Sequence, residues 1–313
     1  MADATTRVVF MGSPDFAVPT LQALAASREF DVAQVVTQPD RGRGRGKKLA
    51  PTAVKRCAQD HGLDVMEMSG ENYREVVETV RQRRPHFVVV AAFGVILKKD
   101  LLALPANGCV NLHASLLPRH RGVSPIQAAL LAGDEETGCT TMLMDEGIDT
   151  GDILLSSSIK IANEDTAGSL ADRLSTLGAP LVLQTLSGLL RGEVRGKKQD
   201  ERAANYTRKI RKEDGSIDWS RSAEDIGRQV RAMSPWPTAY TDYKSRRLIV
   251  LRCAAAGPET GTAPGVVASV RPLRVGTGRG QLEVTAVKLA GGKEMSAGAF
   301  VSGHAVAVGD ILG

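Results

Sequence analysis

Phe87-Val88-Val89-Val90-Ala91-Ala92 is apolar without alternation, the pattern of a strand covered on both faces, as at the centre of a parallel sheet. It passes directly into Phe93-Gly94-Val95-Ile96-Leu97, at the carboxyl end where open α/β sheets bind their ligands. The same alternation of strand and helix holds on both sides. Toward the start, Val8-Val9-Phe10-Met11-Gly12 reads as a buried strand, Ser13-Pro14-Asp15 as a turn opening a helix through Leu24, and Val32 to Thr37 as a second strand. Helix 52–61, strand 63–68 and helix 71–83 lead back to Phe87. Beyond it, Gly108-Cys109-Val110 runs into Asn111-Leu112-His113, Pro125 to Leu131 is helical, strands 138–145 and 153–161 form a hairpin, and helix 166–190 closes the domain. The expected class is α/β, a doubly wound, mostly parallel, Rossmann-like sheet over residues 1–190. Its first turn has one glycine where a dinucleotide fingerprint needs Gly-x-Gly-x-x-Gly, so neither NAD nor FAD is expected.

Residues 191–207 are polar, basic and glycine-containing, with scattered apolar positions, and read as a linker. A second domain is expected over 208–313. In it Ile217-Asp218-Trp219 precedes a helix from Ser222 to Met233, Ser234-Pro235-Trp236-Pro237 makes a turn, and short strands follow at 239–243, 247–255, 265–271, 273–276 and 281–288. Short strands at this spacing, punctuated by Gly and Pro, predict a small β-barrel.

The chain has 313 residues, 42% of them hydrophobic, enough for a large core and two domains. Cys57, Cys109, Cys139 and Cys253 form no Cys-x-x-Cys pair and no ligand spacing with His, so neither a metal site nor a disulfide framework is expected. The longest apolar run, Phe87 to Leu97, is too short to span a membrane, and Met1-Ala2-Asp3 does not open a signal sequence. A cytoplasmic protein is the expectation, and a monomer, since no exposed apolar repeat asks for a partner.

The net charge of +5 is unevenly spread. Residues 38–48 carry five basic groups against Asp40, and residues 195–212 carry eight against Asp200 and Glu201, which leaves the rest of the chain at −5. Lys and Arg concentrated in two short stretches suit a phosphate backbone, whereas a solvated charged face mixes both signs. The first stretch, Arg41-Gly42-Arg43-Gly44-Arg45-Gly46-Lys47-Lys48, has neither helical nor strand periodicity and reads as a flexible basic loop. Arg41 and Lys48 replace the Gly and the Ser or Thr of a phosphate-binding loop around Gly46-Lys47, so an ATP site is rejected.

Asn111 and His113, two apart on a strand, point to the same face and can address one substrate. A lone His at a strand end is more often structural than catalytic. The acidic loop Asp145-Glu146-Gly147-Ile148-Asp149-Thr150-Gly151-Asp152 supplies carboxylates that could fold back on His113 and hold its orientation for proton transfer.

The Asn-x-His strand, the run Ser115-Leu116-Leu117-Pro118-Arg119-His120-Arg121-Gly122 and the loop Gly147-Ile148-Asp149-Thr150-Gly151-Asp152 resemble the formyltransferase family that uses 10-formyltetrahydrofolate. The resemblance covers essentially the whole chain. It implies that Asn111, His113 and Asp149 are catalytic, with Asp152 next among the competing acids Asp145, Glu146 and Asp152. It implies folate contacts at Phe93, Gly94, Ile96, Leu97, Ser115, Leu116, Leu117 and Pro118, and no metal. For the basic stretches it implies methionyl-initiator tRNA as partner, held by Arg41, Arg43, Arg45, Lys47, Lys48, Lys209 and Arg211. It implies further that the second domain resembles an oligonucleotide-binding (OB) fold. His120 and Ser234 depart from the family pattern, which has an aromatic residue and an Asn at these places. In that chemistry Asn111 and a protonated His113 would donate to the oxygen on which charge develops, and Asp149 would hold His113 and accept a proton from the attacking amine. Two other readings stay open: a formyltransferase for a small amine such as a nucleotide sugar or glycinamide ribonucleotide, and a non-catalytic RNA-binding protein with a folate-like pocket.

Overall fold

The computed structural model describes residues 5–43, 48–257 and 261–313. Contacts divide the chain into two compact units, Met1–Pro125 with Glu136–Lys160 and Ala171–Thr207, and Ile126–Glu135 with Ile161–Leu170 and Arg208–Gly313.

In chain order the elements are β1 (Thr6–Gly12), α1 (Val18–Ala26), β2 (Phe30–Thr37), β3 (Arg41–Arg43), β4 (Lys48–Ala50), α2 (Ala53–Asp60), β5 (Val65–Glu67), α3 (Tyr73–Arg83), β6 (Phe87–Ala91), α4 (Lys99–Leu102), β7 (Cys109–His113), β8 (Arg121–Gly122), α5 (Pro125–Ala132), β9 (Glu136–Leu143), β10 (Ile153–Lys160), α6 (Ala167–Leu190) and β11 (Tyr206–Thr207). The first unit is built on a seven-stranded sheet ordered β10-β9-β7-β6-β1-β2-β5. Five strands from β7 to β5 run parallel, and β9 and β10 add an antiparallel hairpin at one edge. The unbroken apolar runs explain the centre: Val8 to Met11 and Phe87 to Val89 are wholly buried. From β1 the chain winds outward through β2 and β5, then crosses back to β6 and β7. Strand order therefore reverses beside β1, and an open sheet binds its ligands at such a point.

The basic loop departs from expectation. Arg41 to Arg43 pairs antiparallel with Lys48 to Ala50, a short hairpin that needs only backbone groups and so leaves no trace in the hydrophobic pattern. Arg45 and Lys47 lie outside the described residues. The stretch read as a linker also differs. Lys197 exchanges backbone hydrogen bonds with Ile153 at 2.8 and 2.9 Å, and β11 pairs in parallel with β8, so residues 191–207 are part of the first unit.

The second unit contains α7 (Ala223–Ala232), β12 (Ala239–Tyr243), β13 (Arg246–Ala256), β14 (Val267–Val270), β15 (Leu273–Gly276), β16 (Gln281–Leu289), β17 (Glu294–Ser296) and α8 (Ala297–His304). Its strands form a six-stranded antiparallel sheet ordered β12-β13-β16-β15-β14, with β17 also on β16. Ile226, Val230, Trp219, Leu282 and Phe300 belong to its core, and the Trp219 indole N–H donates to Thr241 Oγ1 at 3.0 Å. No helix among the described residues is long and apolar enough to cross a membrane.

Candidate active site

β7 sets the site's geometry. Leu112 turns to one face, where its side chain fills the space left by Gly178 of α6: a Cβ at Gly178 would come within 2.6 Å of Leu112 Cδ2. Strand alternation then sends Asn111 and His113 to the other face, where both are buried. There they meet one carboxylate. Asp149 Oδ1 lies 3.4 Å from Asn111 Nδ2, and Asp149 Oδ2 lies 3.4 Å from His113 Nδ1. These distances are long for hydrogen bonds, as in many ligand-free sites. Oδ2 also accepts the Gly122 backbone N–H at 2.7 Å.

The other acids of the loop are turned elsewhere. Asp145 accepts from Gly147 N–H and the Thr150 hydroxyl, Glu146 faces Lys99 at 3.6 Å, and Asp152 lies beside Gly196. Of the four candidate acids, Asp149 is the one brought to Asn111 and His113.

Both nitrogens of the His113 ring are engaged. Nε2 lies 3.0 Å from the His120 carbonyl, which can only accept, and Nδ1 faces the carboxylate. The expected donation from His113 to a substrate oxygen therefore requires one of these contacts to be exchanged. Asn111 has a second amide hydrogen beyond the one aimed at Asp149.

The predicted folate positions divide by exposure. Gly94 and Ile96 are exposed, Ile96 by 78%, whereas Phe93, Leu97, Ser115 and Leu117 are buried and Leu116 and Pro118 are half-buried. The Phe93 carbonyl accepts from Gln38 Nε2 at 2.6 Å. The Ser115 hydroxyl is spent inside its own turn, donating to the Arg119 carbonyl at 2.6 Å, and the Ser115 carbonyl accepts from Thr140 Oγ1 at 2.7 Å. The Leu117–Pro118 peptide is cis. Two further apolar side chains stand exposed beside the Gly122–Asp149 contact, Val123 and Ile148. Exposed apolar groups around a polar trio, with Asn111 and His113 buried and Asp149 half-buried, fit a flat aromatic ligand with a polar reacting end. No cluster of three or more His, Cys, Asp or Glu side chains is placed to hold a metal among the described residues.

Sequence reasoning missed a set of residues around Arg121. Its guanidinium is fully buried and donates to Gln199 Oε1 at 2.9 and 3.0 Å, to both Glu201 carboxylate oxygens at 2.7 and 2.9 Å, and to the Tyr206 hydroxyl at 2.9 Å. The Glu201 carboxylate holds Arg121 charged, above its ordinary value and against the cost of burial; Arg121 in turn holds Glu201 below the usual carboxylate range. The partners lie 78 to 85 residues away, so no local pattern announces them. Of the predicted tRNA positions, Arg41, Arg43 and Lys48 lie in the β3–β4 hairpin, and Lys209 and Arg211 are exposed in the second unit.

Residues 6–186 match the formyl transferase family, and residues 209–305 match the formyl transferase C-terminal domain. The chain belongs to the formyl transferase family. Among its relatives, the methionyl-tRNA formyltransferase of Halothermothrix orenii is 44% identical over 98% of this chain and 100% of its own length. That of Citrifermentans bemidjiense is 45% identical over 98% of this chain and 96% of its own length. The crystal structure of HypX from Aquifex aeolicus in complex with tetrahydrofolic acid aligns with a TM-score of 0.63 at 14% identity, covering 97% of this chain and 48% of that one. The chain thus spans about half the length of HypX, and the likeness is one of fold.

Proposed function

We propose that this protein transfers the formyl group of 10-formyltetrahydrofolate to the α-amino group of methionyl-initiator tRNA, giving N-formylmethionyl-tRNA for translation initiation. The observation that carries the reading is the Asp149 carboxylate shared between Asn111 and His113, in a chain similar from end to end to methionyl-tRNA formyltransferases. The folate, when bound, supplies an activated formyl carbonyl. Phe93, Gly94, Ile96, Leu97 and Ser115 to Pro118 are the proposed surroundings of its ring, with Ile96 the exposed apolar side chain among them.

The chain's own groups divide the remaining work. Asn111 donates its second amide hydrogen to the formyl oxygen, where negative charge develops; loss of one such donor costs about 100- to 1000-fold in rate. His113 has an acceptor at each ring nitrogen, and it releases one contact to donate to the reacting atoms. Asp149 orients His113 and accepts, directly or through water, the proton shed by the attacking amine; one proton is delivered to the departing tetrahydrofolate nitrogen as its bond to the formyl carbon breaks, so the transfer is proton-neutral. Arg41, Arg43, Arg45, Lys47, Lys48, Lys209 and Arg211 contact the tRNA phosphates. Residues 208–313 of the second unit are the tRNA-binding domain with an OB-like sheet, and the first unit, residues 191–207 included, is the catalytic domain. We place the protein in the cytoplasm as a monomer; light scattering that gives a stable dimer overturns the latter.

Single-turnover formylation of methionyl-initiator tRNA tests this directly. Wild type is expected to formylate the tRNA, His113→Ala to lose about 100-fold or more in rate, and a variant with Ala at the five basic positions 41, 43, 45, 47 and 48 to lose affinity with the chemical step intact. Formylation of a small amine in place of the tRNA would keep the chemistry and refute the substrate.

A further inference from the structure

The His113 ring has an acceptor at each nitrogen, and one short stretch of chain holds both acceptors. At Nδ1 the acceptor is Asp149. The Asp149 backbone carbonyl accepts from Gln199 Nε2 at 2.9 Å, and the same amide reaches the Gly151 carbonyl at 2.7 Å. At Nε2 the acceptor is the His120 carbonyl. The His120 N–H donates to Asn205 Oδ1, and the next N–H, that of Arg121, donates to the Asn205 carbonyl at 2.9 Å. Between the two lies Arg121. Its Nε and Nη2 both donate to Gln199 Oε1, so the Gln199 amide has one possible orientation, with its NH2 toward the two loop carbonyls. Thr207 closes the stretch, its hydroxyl donating to the Arg121 carbonyl at 3.0 Å and accepting from Ser124 N–H at 3.1 Å.

The backbone adds a second, independent sign. Asp149 and His120, the two residues that face the ring, have φ of +53° and +59°. A non-glycine residue in the left-handed region costs free energy and persists where its surroundings restrain it, commonly at functional sites. Here the restraints come from Gln199 and Asn205, on a segment whose composition reads as linker.

We propose that Gln199, Asn205 and Arg121 are positioning residues for the formyl transfer, and that the strap 199–207 aims the His113 imidazole by fixing the acceptor at each of its nitrogens. The proposal rests on the reading of His113 as catalytic. It deepens that reading by adding residues that touch no reacting atom.

The test uses the full chain in five forms: wild type, Gln199→Ala, Gln199→Glu, Asn205→Ala and Asn205→Asp. Gln199→Glu keeps the shape and removes both N–H donors. Asn205→Asp keeps the acceptor for His120 N–H. We measure kcat and KM for methionyl-initiator tRNA with 10-formyltetrahydrofolate, and the 15N signals of the His113 ring without substrate. Gln199→Ala, Gln199→Glu and Asn205→Ala are expected to lower kcat by about 10- to 100-fold, with KM for the tRNA changed by less than about 3-fold, because misplacing a catalytic group by a fraction of an ångström to 1 Å has that effect. Asn205→Asp is expected to stay within about 3-fold of wild type. The His113 ring signals should move in the three slow variants and hold in Asn205→Asp.

A rise in KM alone, or an Asn205→Asp variant as slow as Asn205→Ala, overturns the proposal. Should Asn205→Ala fail to fold, the isosteric Gln199→Glu decides. Ring signals that stay in place in Gln199→Glu refute the strap whatever the activity. If wild type leaves the tRNA unformylated while the ring signals move, the strap stands as the device that aims His113 and the assigned reaction falls.

Discussion

At Asp149 backbone and side chain meet different demands: φ is +53°, and the carboxylate serves Asn111, His113 and the Gly122 N–H at once. Asn is tolerated in the left-handed region about as well as Asp. Asp149→Asn should therefore fold with a Tm within a degree or two of wild type and lose formylation by about 100-fold or more, since the neutral amide cannot hold or receive the proton. A large fall in Tm with the rate retained would make the carboxylate structural. Two residues on, Gly151 answers to space: a Cβ there would overlap the Leu143 carbonyl oxygen. Gly151→Ala must push backbone apart, and a destabilisation of roughly 1–3 kcal/mol is expected from thermal unfolding, with activity falling as the loop carrying Asp149 shifts.

Among the elements, what the sequence shows depends on how far away a residue's partners are. β6 and β1 are apolar on both faces, so their composition alone assigns them to the middle of the sheet, and Asn111 and His113 share a face because alternation is a local rule. Residues 199–206 carry Gln199, Glu201, Asn205 and Tyr206, all polar by composition, yet they enclose a buried guanidinium on residue 121. Their hydrophilic look follows from the charge they neutralise. The 41–43 and 48–50 hairpin was illegible for a related reason, since its pairing is entirely backbone. In the turn 212–215 of the second unit, the Arg208 guanidinium, helped by the Arg211 N–H, pushes Asp214 down to about 2 against partial burial. A folded pKa below the ordinary 3.8 means that the stabilisation is fully present above about pH 4 and fades as pH falls toward 2. Wild type should therefore exceed Asp214→Asn in Tm at pH 7, and the two should converge near pH 2. A difference independent of pH would refute the pairing as its source.

For the whole molecule, the charge map makes a prediction about salt. With the excess positive charge in two stretches and a sequence pI near 9.1, tRNA binding should weaken steeply as salt rises, and replacing the five basic residues at 41–48 with Ala should flatten the slope of log Kd against log salt. An unchanged slope would remove the hairpin from the interface. The thiols form a second whole-molecule property. All four cysteines are free, and burial pushes Cys109, Cys139 and Cys253 up to about 12. Thiolate is the reactive form, so at pH 8 the native protein should label slowly with a thiol reagent and rapidly once denatured. Fast labelling of the native protein would contradict the burial.

Synthesis on the ribosome gives the strap a meaning in time. The chain emerges with Asn111, His113 and Asp149 long before residues 199–207, and until those appear Arg121 has neither the carboxylate nor the amide that surround it in the finished protein. A nascent chain paused at residue 190 would hold Asn111, His113 and Asp149, the proposed catalytic groups, without the residues that surround Arg121. On the proposed reading the last seventeen residues of the first unit, 191–207, would be its latch, and the site would become whole only after they have cleared the exit tunnel.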